Sequence, residues 1–280
     1  MPRQDVSQML YWSSHIVRNA PHLGLSSARV ALPRYTLSPP DRRKILVGTH
    51  HKVLTVFLGR VFRVFALLTN RSYDRGMGEA LDYTRDVLID HHSQFGFDRL
   101  LPGWRGLHVV RDPRDLLVSA ANYHTRSSES WLHEPKAEFG GRTYQQTVNA
   151  LGTLEERMLF ELDHVTGEDI RAMLAWRFGR PQMLELRYEK LVGQGATAYF
   201  GDAVRAWSLP PAEHRLLVEL FGYFSIGNPG AKGNRHIRNA NSGQWRKHFT
   251  PRVEARFAQM FPDAVAKLGY DRAAHQTQPA

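Results

Sequence analysis

The chain of 280 residues contains no cysteine. Disulfide bonds, thiolate nucleophiles, and zinc or iron–sulfur sites built on cysteine are therefore excluded. Long apolar runs are also lacking, because the longest one, VFLGRVFRVFALL, is interrupted by Arg60 and Arg63 and is too short to span a bilayer. The N-terminal residues have no apolar core followed by small residues, so no secretory signal is predicted and a cytoplasmic location is expected.

Acidic residues are fewer than basic ones, with 27 Asp and Glu against 37 Lys and Arg, which gives a net charge of +10. Such a surplus favours anionic partners: nucleic acid, an acidic membrane or a phosphorylated small molecule. The sequence contains no recognised nucleic-acid-binding module and no dense basic patch interleaved with aromatic residues. We therefore expect neither nucleic-acid binding nor stable insertion into a membrane.

Short apolar runs alternate with stretches of helical length from Lys44 onwards. Strands are predicted at KILVG, DVLIDHH and GLHVVR, and MLELRYEKLV is predicted as a further strand and its exit. Helices are predicted from about Leu54 to Leu68, at PRDLLVSAANYH, VNALGTLEERMLFELDHV, GEDIRAMLAWRFG and YFGDAVRAWSL, and in TPRVEARFAQMFPDAVAKLGY up to a break at Pro262. This alternation predicts an α/β fold, a three-layer sandwich whose central, mostly parallel sheet is flanked by helices.

The segment GTHHKVLT, residues 48–55, links the first predicted strand to the first predicted helix. A helix N-terminus presents unpaired N–H groups and the positive end of the helix dipole, which suits phosphate. Lys52 and Thr55 add a charge and a hydroxyl. The Walker A pattern fails, because His51 stands where glycine is required and Val53 where Ser or Thr is required. A phosphate site and an ordinary exposed loop both remain open.

A second candidate anion site follows the strand GLHVVR. Arg111 ends the strand, Asp112 is suited to cap the next helix, Pro113 suits its first turn, and Asp115 completes a pair resembling a capping box. Arg111 and Ser119 would lie along one edge of the helix start, and the planar fork of arginine matches phosphate. A salt bridge at the strand end is the alternative for Arg111.

A third segment, HIRNANSGQWRKHFT at residues 236–250, is basic and has no helical or strand period. A long polar loop with an aromatic residue is typical of a lid or of an anchored surface crossing.

These three segments, in this order, resemble the sulfotransferases that use PAPS, 3'-phosphoadenosine-5'-phosphosulfate. HHKVLTVFL resembles their 5'-phosphosulfate loop, VVRDPRDLLVS their 3'-phosphate motif, and IRNANSGQWRKHFT their C-terminal nucleotide-covering loop. LRYEKL resembles a tyrosine-bearing segment of the family. The likeness runs from about Lys44 to Tyr270. It implies a P-loop-NTPase-like sulfotransferase domain over residues 44–270, a leader over 1–43 that packs on it, and a disordered tail over 271–280.

The resemblance also implies PAPS as donor cosubstrate, no metal, and roles for single residues. Lys52 would contact the sulfuryl-bearing phosphate and the leaving oxygen, and Thr55 the 5'-phosphate. Arg111 and Ser119 would bind the 3'-phosphate, which Arg238 would reach from above, while Tyr188 would approach the adenine. The implied donor-binding residues are Lys52, Val53, Leu54, Thr55, Val56, Phe57, Arg111, Ser119, Tyr188, Arg238, Asn239 and Ala240.

A histidine base is implied at the end of the strand before the 3'-phosphate motif. His91 and His92 both stand there, and aligning IDHH on the family's strand ending selects His92. Histidine suits the role, since its ordinary pKa near 6.5 leaves it mostly neutral at cytoplasmic pH. The predicted catalytic residues are His92, Lys52 and His91.

The sequence departs from the family pattern at several positions. Leu54 replaces a frequent glycine, and Asn239 and Ala240 replace a frequent Lys-Gly pair. Pro251 and Glu254 break the dimer signature of the animal cytosolic enzymes, so the oligomeric state stays open. An ATP-dependent small-molecule kinase and a catalytically weak nucleotide-binding relative remain as alternatives. The acceptor, a small molecule or a glycan, would lie under the 124–148 and 230–250 segments.

Overall fold

The computed structural model describes residues 43–225 and 242–271. These residues fall into two compact units. The first unit comprises residues 43–49, 54–108 and 179–225, and the second comprises residues 50–53, 109–178 and 242–271. Almost all of the predicted leader and tail lies outside the described residues, so their boundaries stay predictions.

A five-stranded sheet forms the centre of the first unit. Its strands are β1 (Ile45–Gly48), β2 (Tyr73–Gly76), β3 (Val87–Asp90), β4 (Arg105–Val110) and β5 (Met183–Arg187). The last two residues of β4 belong to the second unit. They lie in the order β2-β3-β1-β4-β5, and the pairs β1–β3, β1–β4 and β2–β3 are parallel. The predicted α/β class with a central, mostly parallel sheet is confirmed. Only β2 is missing from the prediction, because its sequence YDRG lacks an apolar run.

The strand order places the end of β1 between those of two neighbours. Gly48 pairs with Asp90 of β3 on one side and with His108 of β4 on the other. A side chain at Gly48 would have its Cβ 2.8 Å from Ser93 Oγ, so the close packing requires glycine. The chain runs from β1 to β2 and β3 on one side, and then to β4 and β5 on the other. Open α/β sheets bind ligands beyond the carboxyl ends of the strands at such a reversal.

Eleven α-helices are present in the described residues. In chain order they are α1 (Thr55–Leu68), α2 (Pro113–Tyr123), α3 (Tyr144–Asn149), α4 (Leu154–Asp163), α5 (Val165–Ala175), α6 (Tyr188–Val192), α7 (Ala196–Val204), α8 (Pro211–Phe224), α9 (Trp245–His248), α10 (Pro251–Met260) and α11 (Ala264–Lys267). None of them is long and apolar enough to cross a membrane.

Helix α1 covers strands β2 and β3 of the first unit, α8 packs against α1, and α7 packs against α8. The helices meet through aromatic rings, since Phe221 lies with its ring centroid 5.0 Å from that of Phe57 and stacks on Phe200 at 4.1 Å. The prediction lacks α8, although the proline at its N-terminus is a common helix-start signal. These contacts fix the start of α1 relative to the sheet.

Helix α2 of the second unit packs against α4 and α5, and α4 also contacts α10. The prediction of one helix over residues 148–165 is wrong, because α3 ends at Asn149 and α4 begins at Leu154. Thr153 caps α4 by accepting from the N–H of Glu156, whose side chain binds back to the N–H of Thr153. This capping box starts a new helix where the periodicity alone indicates a continuous one.

Arg71 and Glu213 form a buried ion pair in the first unit, with Nη2 and Oε2 2.7 Å apart and both side chains 0% exposed. We expect Glu213→Gln to lower the free energy of unfolding by about 3 kcal/mol, because the guanidinium would stay buried without its counter-ion. Urea unfolding of the two proteins measures the loss. The exposed pair Asp202–Arg205 provides the control, for which Asp202→Asn should cost less than about 1 kcal/mol. Equal losses in both variants would contradict the expectation.

Candidate functional site

The loop after β1 has an unusual backbone. Lys52 and Leu54 adopt left-handed φ angles of 59° and 62°. For residues other than glycine this conformation costs roughly 1–2 kcal/mol, so the surrounding contacts must hold it. The Val53 side chain is fully buried, and its N–H donates to the His50 carbonyl at 3.0 Å. Position 54, where the sequence has leucine in place of the family's glycine, does have the conformation that favours glycine.

The start of α1 is suited to a negatively charged ligand. Leu54, the residue before the helix, offers no side-chain oxygen as a cap, and the first turn of the helix contains no acidic residue. The helix has 14 residues and its dipole is therefore well developed. No carboxylate of the first turn reduces the positive potential around the N–H groups of Thr55, Val56 and Phe57.

In the second unit, the residue that follows β4 holds the loop that follows β1. Arg111, which is 5% exposed, donates from Nη1 to the main-chain oxygen of Lys52 at 2.9 Å. The Lys52 ammonium lies 3.3 Å from the centre of the Tyr123 ring. Burial, and then the positive charge of Arg111, lower the pKa of Lys52 to about 7. Lys52 is therefore close to half neutral at neutral pH and would gain charge beside an anion.

The start of α2 binds the C-terminal segment. Asp112 caps the helix as predicted, accepting from the N–H of Arg114 at 2.9 Å. Asp115 does not complete a capping box; its carboxylate accepts from the N–H groups of Gly243 and Trp245 at 2.5 Å and 2.9 Å. The Arg114 guanidinium lies 3.8 Å from the centre of a Trp245 ring. The predicted 3'-phosphate motif therefore anchors Gly243 and Trp245, which lie within the predicted covering loop.

The two candidate bases of the first unit differ in their surroundings. The Asp90 carboxylate accepts from the N–H groups of Gly78 and His92, both at 2.9 Å, which fixes the backbone after β3. Nε2 of His91 lies 2.6 Å from Nε of Arg75, and because arginine only donates, this nitrogen must accept. Burial lowers the pKa of His92 in spite of Asp90, so its ring is neutral at neutral pH. The choice between His92 and His91 as the proton acceptor stays a prediction.

A buried hydrogen-bonded chain in the second unit is missing from the sequence prediction. His51 Nε2 lies 3.0 Å from His124 Nε2, and His124 Nδ1 lies 2.5 Å from Glu161 Oε1. Thr166 Oγ1 donates to the other oxygen of Glu161 at 2.6 Å. The side chains of His124 and Glu161 are 0% exposed, whereas His51 is partly exposed. No local sequence pattern indicates this chain, because its members come from a loop and three different helices or helix ends.

Aromatic residues of the predicted acceptor segment surround this chain. The Trp131 ring lies edge-on to His124, with centroids 5.2 Å apart, and Tyr144 lies edge-on to the same histidine at 5.6 Å. Tyr123 Oη and Trp131 Nε1 each donate to Glu129, both at 2.8 Å. The 124–148 segment is therefore built on packed aromatic rings, and its role toward an acceptor stays a prediction.

The remaining predicted residues are placed as follows. Ser119 lies half-buried on α2, Tyr188 is buried at the start of α6, Phe57 is buried, and Val56 is exposed. Within residues 43–225 and 242–271, no three His, Asp or Glu side chains are grouped to hold a metal ion. The predicted residues Arg238, Asn239 and Ala240 lie outside the described residues.

No protein-family model and no curated protein sequence matches the chain. Among solved structures, the chain is similar to the mouse sulfotransferase SULT7A1 complexed with PAP, with a TM-score of 0.53, 13% identity, and coverage of 88% of this chain and 92% of that one. The chain has the sulfotransferase fold. It also matches retinol dehydratase in a complex with retinol and PAP, with 13% identity over 92% of this chain and 88% of that one, at a TM-score of 0.47.

The sulfotransferase fold predicted from the three segments is thus confirmed. In this fold, residues 49–54 follow β1, His91 and His92 follow β3, and Arg111 follows β4. Because these three strands are parallel, their carboxyl ends share one edge of the sheet. The roles predicted for these residues remain predictions.

Asp169 lies on α5 close to the charge of Glu161, and burial and Glu161 raise its pKa to about 8. The folded protein therefore holds a proton on Asp169 that the unfolded chain releases near pH 4, so this carboxyl lowers stability increasingly between pH 4 and pH 8. We expect the unfolding midpoint of wild type, relative to Asp169→Asn, to fall as the pH rises from 5 to 8. The exposed Asp263→Asn variant should show no such trend. Parallel curves for wild type and Asp169→Asn would contradict the raised pKa.

Proposed function

We propose that this protein is a PAPS-dependent sulfotransferase that transfers a sulfuryl group to a hydroxyl, or less often to an amine, of a small-molecule or glycan acceptor. The observation that carries the proposal is the contact between Arg111 and Lys52, two cations on the loops that leave neighbouring parallel strands. The solved sulfotransferase of the same fold contains PAP, a nucleotide that carries phosphate groups. Two basic residues that lie close together suit such a ligand.

In this proposal the donor occupies the loop after β1. Lys52 and the N–H groups at the start of α1 bind the 5'-phosphosulfate, and Thr55 adds a hydroxyl there. Arg111 and Ser119 bind the 3'-phosphate. A guanidinium has five N–H donors, so Arg111 can hold the Lys52 carbonyl and a phosphate at the same time.

The transfer proceeds by in-line attack of the acceptor oxygen on sulfur. His92 takes the proton of the acceptor hydroxyl, and its neutral state supports this role. Lys52 stabilises the negative charge that develops on the leaving phosphate, together with the N–H groups of α1. The products are the sulfated acceptor, adenosine 3',5'-bisphosphate and a proton on the histidine.

The first test of the proposal compares the bisphosphate with AMP as stabilising ligands. A ligand that binds only the folded state raises the thermal midpoint once its concentration exceeds its dissociation constant. We expect Arg111→Ala to weaken binding of the bisphosphate about 30-fold more than binding of AMP, the equivalent of roughly 2 kcal/mol for the charge-assisted hydrogen bond lost at the 3'-phosphate, because any loosening of the Lys52 loop affects both ligands alike.

The exposed Arg126 provides a control of equal charge, since Arg126→Ala should weaken both ligands slightly and by the same factor. Equal weakening of bisphosphate and AMP by Arg111→Ala would remove Arg111 from the 3'-phosphate site. A protein stabilised by ATP with magnesium and indifferent to the bisphosphate would overturn the sulfotransferase proposal in favour of a kinase.

The lowered pKa of Lys52 gives a second test. At pH 8 the lysine of the free protein is mostly neutral, and a bound phosphate would restore its charge, so binding of the bisphosphate should take up close to one proton. Titration calorimetry in two buffers of different ionisation enthalpy measures this number. The affinity should also fall as the pH rises from 7 to 9.

Lys52→Met should abolish the proton uptake at pH 8, whereas Lys136→Met, which removes a lysine that is 36% exposed, should retain it. Proton uptake that survives in Lys52→Met would show that another group titrates on binding.

A further inference from the structure

Lys52 is held at both ends by residues of the second unit. Arg111 donates from Nη1 to the main-chain oxygen of Lys52 at 2.9 Å, and the Lys52 ammonium lies 3.3 Å from the centre of the Tyr123 ring. The negative face of an aromatic ring attracts a cation at this distance, and the attraction is stronger where water is excluded. Lysine has a flexible four-carbon stem, so a contact at its tip removes freedom that an arriving anion would otherwise have to remove.

The Tyr123 ring is itself fixed by a carboxylate. Tyr123 ends α2, and its Oη donates to Oε1 of Glu129 at 2.8 Å. Burial raises the pKa of the Tyr123 hydroxyl, which therefore keeps the proton that it donates. Trp131 Nε1, which can only donate, binds the other carboxylate oxygen, Oε2, also at 2.8 Å. The N–H of Glu129 donates to Ser127 Oγ at 3.3 Å, so the main chain of this glutamate is held as well.

Glu129 also acts on Lys52 through its charge. The charges that act on the Lys52 ammonium within this unit include those of Arg111 and Arg126, which are positive, and that of Glu129, which is negative. The titratable neighbour in the chain is His51. Glu129 therefore has two effects on the lysine: it fixes the ring against which the ammonium lies, and it partly offsets the two guanidinium charges.

We propose that Tyr123 and Glu129 are positioning residues for Lys52 in the sulfuryl transfer. This inference rests on the proposed function. The ammonium has three N–H donors and presents one side to the ring, so the other side can donate to the phosphate oxygens of the donor. The ring stays against the ammonium in the complex, and Glu129 keeps the ring in place. Lys52 then enters the reaction already oriented toward the charge that develops on the leaving phosphate.

Nuclear magnetic resonance of protein labelled with ¹³C-lysine tests the contact without any nucleotide. Protons above the face of an aromatic ring resonate upfield, so the ε-methylene protons of Lys52, identified by their loss in Lys52→Met, should lie upfield of those of other lysines. We expect Tyr123→Phe to keep this shift and Tyr123→Leu to abolish it. The control is Tyr199→Leu, which removes a half-buried ring near Lys190 and should leave the Lys52 signals unchanged. Lys52 signals without an upfield shift in the wild type would overturn the proposal.

The same signals, followed against pH, report the charge of Lys52. We expect Glu129→Gln to lower the Lys52 titration midpoint by at least about half a pH unit, because the two guanidinium charges then act without the carboxylate. Glu134→Gln, which removes an exposed carboxylate of the same segment, should leave the midpoint unchanged. Equal midpoints in the wild type and Glu129→Gln would remove Glu129 from its role.

Binding of adenosine 3',5'-bisphosphate, measured by calorimetry at pH 7, tests the role toward the proposed donor. We expect Tyr123→Leu to weaken binding about tenfold and Tyr123→Phe less than about threefold. In the Lys52→Met background, Tyr123→Leu should cost less than about twofold, because the ring acts through the lysine. Additive losses, or tighter binding by Tyr123→Leu, would overturn the positioning role and leave the proposed function standing. If the wild type does not bind the bisphosphate, the proposed donor site and this inference both fail.

Discussion

The hydrogen bond from Arg111 to the main-chain oxygen of Lys52 is the contact on which the candidate site depends. Lys52 has a left-handed backbone that no glycine relieves, and the bond from the arginine after β4 helps to hold it. Burial lowers the pKa of the lysine most, and the positive charge of Arg111 lowers it further. The arginine therefore acts on both the shape of the loop and the charge that the loop carries.

The parts of the fold that sequence reasoning finds are those with local signals. Strands β1, β3 and β4 are apolar runs, and α2 begins with Asp112 and a proline, which are standard start signals. The break between α3 and α4 has a local signal too, the Thr153–Glu156 capping box, but the helical period on either side hides it. The polar strand β2 has no such signal and is fixed by its pairing with β3.

The candidate site is predictable only for those residues whose position after a strand can be recognised in the sequence. Lys52, Arg111 and the histidine pair can be found because each follows the end of a strand, and parallel strands bring those ends to one edge. Contacts across long sequence separations cannot be found this way: His124 meets Glu161 and Asp115 meets Gly243 through the packing of helices and loops. Asp115, for example, is predicted to complete a capping box, but it accepts hydrogen bonds from the distant residues Gly243 and Trp245.

A lysine that is half neutral and rests on the Tyr123 ring has a consequence for selectivity. In the proposed donor site, a monovalent anion such as chloride would gain less from a cation that is only half charged. A ligand with several negative charges would shift the equilibrium of the amine toward its protonated form and so strengthen its own binding. On the proposed function, the loop would therefore discriminate between anions by their charge.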